Sequence, residues 1–73
     1  MENTKTKVQA VSELIKANGG TATWQEIYEK IEQYYPAAKT SEFWQEGLRG
    51  DVYREMRYDR SFEFAGKGVI QLR

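Results

Sequence analysis

Seventy-three residues make one small domain, and a chain of that length buries only about 60% of the surface its unfolded form exposes, so the core must be well filled. With no cysteine and no histidine, disulfides and the usual zinc ligands are excluded as staples, and the aromatic residues, 14% of the chain, must supply much of the buried area. Eleven Lys and Arg balance eleven Asp and Glu, which excludes a strongly basic, non-specific nucleic-acid coat.

Met1 to Lys7 is polar and without periodicity, and it reads as a flexible N-terminus ahead of a single domain over residues 8–73. Val8, Val11, Leu14 and Ile15 recur at helical spacing and predict a first helix to about Ala17, which Asn18-Gly19-Gly20 stops. Thr21-Ala22-Thr23 is a short extended connector, able to form the stub of a strand. Thr23 and Glu26 match a capping box, and Trp24, Ile27, Tyr28 and Ile31 form the apolar face of a second helix behind it. Pro36 restricts Tyr35 and closes that helix near Tyr34.

A third helical pattern lies within Thr40 to Asp59, with Thr40 or Ser41 as its cap. Trp44, Leu48, Val52 and Met56 recur every fourth residue and form one apolar stripe. Glu46, Gly50, Tyr53, Arg54 and Arg57 fall on the opposite side, with Arg49 at the border. Gly47 and Gly50 each cost this helix about 1 kcal/mol relative to alanine, for close packing, for a kink, or because a side chain there would hold the helix off a ligand.

After Asp59 the period changes to two. Phe62 and Phe64 alternate with polar or small residues, as do Ile70 and Leu72, and Gly66-Lys67-Gly68 stands between the two runs, which is a hairpin signal. An isolated hairpin is marginal in water, so this one must lay its Phe62/Phe64 and Ile70/Leu72 faces on the helices or pair with the stub near Ala22. Three helices followed by a two- or three-stranded sheet define an α+β fold, the winged helix-turn-helix arrangement, with Ala65 to Gly68 as the wing tip.

The run Ala22 to Ile31, the run Leu48 to Met56, the stretch Phe62 to Gly68 and Ile70-Gln71-Leu72 together resemble the HARE-HTH family of winged helices. The resemblance spans Val8 to Leu72 and rests on order and spacing more than on any single motif. It implies a domain that binds DNA or docks protein within transcription and DNA-modification assemblies, as in restriction-system and chromatin-associated proteins.

Charge is nearly even along the chain, so any basic face has to be made by folding. Arg49, Arg54, Arg57 and Arg60 cluster late, but Glu46, Asp51, Glu55 and Asp59 are interleaved with them, and surface pairing is the plain alternative to ligand contact. Arginine suits either a guanine edge or a phosphate. The candidate double-stranded DNA contacts are Gln45, Arg49, Tyr53, Arg54 and Arg57 on the third helix, with Thr40, Ser41 and Lys67 on the flanking backbone. Thr23 and Gln25, at the start of the second helix, could also donate to phosphate, although capping explains Thr23. Trp24 and Trp44, within helical stripes, are expected in the core. Tyr34, Tyr35 and Phe43 fit the core less well and would serve the alternative, a protein-docking adaptor in a transcription or restriction complex.

No spacing pairs a nucleophile with a base, no glycine-rich phosphate loop is present, and no cluster has metal-ligand chemistry, so neither an enzyme, a metal nor a cofactor is expected. No apolar run approaches the roughly 18–20 residues of a membrane span and no signal peptide is evident, and the expected location is cytoplasmic.

Overall fold

The computed structural model describes residues 6–73. The elements run α1 (Lys7–Ala17), β1 (Thr21–Thr23), α2 (Trp24–Tyr34), a 3-10 turn (Pro36–Lys39), α3 (Trp44–Arg57), β2 (Phe62–Gly66) and β3 (Val69–Leu72). The order and the class are those read from the sequence. No helix among the described residues is long and apolar enough to cross a membrane.

α1 begins one residue earlier than its apolar stripe. Thr6 Oγ1 accepts from the Gln9 backbone N–H at 3.1 Å and Gln9 Oε1 accepts from the Thr6 N–H at 2.9 Å, so a capping box draws Thr6 and Lys7 into ordered structure. The rest of the expected flexible N-terminus, residues 1–5, lies outside the described residues. At the other end Gly19 takes φ 92°, and the Gly20 N–H reaches the Ile15 carbonyl at 2.9 Å, a Schellman closure. Asn18 then ties the turn to α2: its Nδ2 donates to the Thr21 carbonyl at 2.8 Å and its Oδ1 accepts from Lys30 Nζ at 2.7 Å.

α2 opens on the expected capping box. The Glu26 N–H donates to Thr23 Oγ1 at 3.2 Å and Glu26 Oε1 accepts from the Thr23 N–H at 2.9 Å. That backbone donor is the main reason the Glu26 carboxyl sits below its ordinary value of 4.5.

α3 is capped differently from the expectation. Its N-cap position is Phe43, with no side-chain bond, because Pro36 starts a 3-10 turn that takes up Thr40. Thr40 Oγ1 donates back to the Ala37 carbonyl at 2.9 Å, and Ser41 Oγ accepts from the Phe43 N–H at 3.3 Å. α3 closes with a second Schellman bond, the Arg60 N–H to the Glu55 carbonyl at 2.8 Å, and Asp59 instead of glycine fills the left-handed position at φ 56°. The Glu55 carboxylate clamps the entry to the hairpin: it accepts from Arg60 Nη2 at 2.9 Å and from Ser61 Oγ at 2.9 Å.

The sheet is antiparallel in the order β1-β3-β2. β3 is central because the stub does pair with it, Ala22 opposite Ile70, while β2 pairs on the other side with Phe64 opposite Ile70. The ladder shifts between Phe64 and Gly66, which leaves Ala65 as a bulge before the Lys67-Gly68 turn. The core draws Val11, Leu14 and Ile15 from α1, Ile27 and Ile31 from α2, Leu48 and Val52 from α3, and Phe62 and Ile70 from the hairpin. Phe64 keeps to the face of its partner Ile70 but is 52% exposed, its ring meeting Tyr53 of α3 at the margin of the core.

Phe62 is the largest of the fully buried side chains. Phe62→Ala is expected to cost about 3–5 kcal/mol, which a urea titration would show as loss of roughly half of a stability on the order of 5–10 kcal/mol. Glu26 sets an acid limit. Because its folded-state value is depressed, its contribution is complete above the ordinary glutamate range and is lost as pH falls through the lower folded-state value. Glu26→Gln keeps the capping geometry, so it should lower stability near neutrality and flatten the loss in a melting-temperature series run down to about pH 3.

Candidate functional site

α3 buries Leu48 and Val52 completely and holds Trp44 and Met56 at the core margin. Seating that stripe turns Glu46, Arg49, Gly50, Tyr53 and Arg57 outward, all of them exposed. Gly50 makes the middle of this face bare. A Cβ built on it would meet nothing within 4 Å, and one on Gly47 would meet only Lys7 Nζ at 3.8 Å. Close packing within the chain therefore explains neither glycine. Gly50, Tyr53, Arg54 and Arg57 line an open groove of about 310 Å³.

The arginines divide by partner. Arg54 Nη2 donates to Asp51 Oδ1 at 3.0 Å and Arg60 is held by Glu55, so two of the four are paired to carboxylates. The Arg54 pair is exposed and worth a few tenths of a kcal/mol, so it orients the side chain without committing it. Arg49 ignores its own-helix carboxylate as a hydrogen-bond partner and reaches α2 instead: its Nε and Nη2 both donate to the Tyr28 hydroxyl, at 3.1 and 3.0 Å. That neutral acceptor fixes the guanidinium while leaving its charge uncompensated by a contact. Arg57 and Lys67 make no hydrogen bond or ion pair among the described residues. Thr40 and Ser41 are exposed ahead of α3, each hydroxyl engaged within its own turn. Gln45 lies across a second groove, of about 440 Å³, with Gln25, Tyr28, Glu29, Lys39 and Trp44.

An aromatic ladder runs beside these residues. Ring centroids lie 6.2 Å apart for Phe64–Tyr53, 5.7 Å for Tyr53–Trp24, 5.9 Å for Trp24–Tyr28 and 5.5 Å for Tyr28–Trp44. Lys39 Nζ closes the far end, 5.0 Å above the Trp44 ring. The ladder joins wing, α3 and α2 across one surface. Both tryptophans were expected in the core; each is half-buried, packed on the core by one edge and on the ladder by another. Periodicity places such residues on the inward side but does not distinguish a stripe's centre from its margin. Trp24 and Tyr28, one turn apart, carried the only sequence signal of the ladder.

Among the residues considered for protein contact, Tyr34 and Tyr35 are half-buried against the core and Phe43 is 64% exposed. Among the described residues no group of His, Cys, Asp and Glu is arranged to hold a metal ion.

Fold and exposed α3 face together define a small winged-helix-like domain with a mixed aromatic and arginine surface. Comparison of the chain with protein-family models, curated proteins and solved structures gives no match in any of the three.

Because a Cβ at Gly50 would meet nothing among the described residues, Gly50→Ala should raise stability by about 1 kcal/mol, read as a higher melting temperature.

Proposed function

We propose that this domain is a DNA-binding winged helix that presents the outer side of α3 to the major groove of double-stranded DNA and its hairpin wing to the adjacent backbone. Gly50 carries the reading. A glycine in the middle of a helix, with open space above it and arginines on either side, weakens the fold without serving any internal contact. Its use lies in letting the helix backbone come close to a partner. Arg57, Arg49 and Lys67 supply charge for phosphates; Gln45, Tyr53 and Arg54 are the further contacts along α3, and Thr40 and Ser41 flank them. The resemblance to HARE-HTH winged helices supports the same assignment and a role in transcription regulation or as an accessory to restriction and DNA modification.

A second reading, a protein-docking adaptor in a transcription or restriction complex, is favoured by Phe43, an apolar ring 64% exposed immediately before α3. In that case Phe43→Ala abolishes association with the protein partner and the arginine substitutions leave it unchanged.

Binding to a generic duplex, followed by fluorescence anisotropy from about 50 to about 200 mM salt, tests the leading reading. Affinity should fall steeply with salt, and Arg57→Ala and Lys67→Ala should each reduce the slope by about 1. Gly50→Ala should weaken binding although it stabilises the fold. Absence of duplex binding at the lowest salt would overturn the assignment.

A further inference from the structure

We propose that the wing end of the same face binds unpaired bases of single-stranded DNA, stacking them on Tyr53 and Phe64 while Arg49, Arg57 and Lys67 meet the phosphates. This rests on the proposed nucleic-acid function and adds unpaired bases as a second form of ligand, taken at the wing end of that site.

Phe64 meets Tyr53 of α3 and still leaves much of its ring open to solvent. Its strand neighbour Phe62 is fully buried, whereas Phe64 is 52% exposed, and Tyr53, the ring it meets, is 43% exposed. The two are inclined at 51°, so they form an open corner and not a closed stack, with ring faces available to a third group. Duplex DNA offers such faces little: its bases are already stacked and show only their edges in the grooves. An unpaired base has both π-faces free, and stacking on an aromatic side chain is independent of which base it is.

Charge accompanies the rings at this end. Arg57 shares the Gly50 groove with Tyr53, and Lys67 is three residues beyond Phe64 in the wing turn. Neither has a partner among the described residues. Arg49, held on the hydroxyl of Tyr28, the fourth ring, adds a cation farther along the ladder. At the other end Glu29 and Lys39 both border the groove, so their charges offset one another there. With a formal net charge of zero the chain has few cations to set against a long strand, and stacking supplies what ion pairs cannot.

Both tryptophans belong to the ladder, so intrinsic fluorescence reports on it directly. The full chain would be titrated with an oligothymidylate of about 12 nucleotides, a strand of equal length that is abasic throughout, and a blunt duplex of the same length. Oligothymidylate should quench the fluorescence and bind at least tenfold more tightly than the abasic strand. Tyr53→Ala or Phe64→Ala should each weaken it by about tenfold. Phe64→Leu, which keeps an apolar side chain but loses the π-face, should weaken it nearly as much, with far-UV circular dichroism confirming that each variant is folded. Equal affinity for the abasic strand, or full binding by Phe64→Leu, would overturn the stacking proposal. Duplex binding without oligothymidylate binding sinks it while leaving the duplex reading in place; no binding to any of the three probes removes both.

Discussion

The burial of Leu48 and Val52 is the constraint on which the remaining geometry depends. These two side chains, one helical turn apart, are wholly enclosed in a cluster shared with α1, α2 and the hairpin. A 73-residue chain without disulfides has little other means of fixing the rotation of α3 about its axis. Once that rotation is fixed, Gly50 and Arg57 must face water and Arg49 must fall beside α2. The hairpin reinforces the same choice, because Phe62 and Ile70 enter the same cluster. Loss of this seam would disturb fold and surface together.

The wing is aimed by a separate device. Glu55, on the inner edge of α3, gathers Arg60 and Ser61 within hydrogen-bond distance, and two left-handed residues, Asp59 and Ser61, reverse the chain into β2. Strain at two non-glycine residues is tolerated where surrounding bonds over-determine the path. The consequence is the Tyr53–Phe64 contact, which puts the hairpin beside the outer side of α3. An interleaved arginine and carboxylate sequence thus sorts itself by geometry: Asp51 and Glu55 hold Arg54 and Arg60, while Arg49, Arg57 and Lys67 have no carboxylate partner among the described residues.

That surface sets aromatic rings beside arginines. Its rings are linked by tilted and edge-to-face contacts from Phe64 to Trp44, and the linkage crosses three elements. Such a ladder stiffens the junction of α2, α3 and wing, and it shows the outermost rings to solvent. The same side chains close the margin of the core and, at Tyr53 and Phe64, stand exposed to solvent.

The sequence by itself determined the elements and their order. Local signals sufficed for this: capping boxes, the Gly19-Gly20 stop, Pro36, the four-residue stripe of α3 and the two-residue alternation around the Gly66–Gly68 turn all act within a few residues of one another. The Thr6/Gln9 box was equally legible and extends α1 past its apolar stripe. Only the tertiary structure decided what each side chain meets. Arg49 chose Tyr28, 21 residues away, over Glu46 nearby; Phe64, on the same sheet face as the buried Ile70 opposite it, is left 52% exposed; Thr40 and Ser41 gave up the cap to a 3-10 turn. The reason is physical: periodicity reports direction relative to one element's axis, whereas partners and exposure depend on how far the neighbouring elements extend, and no local pattern carries that distance.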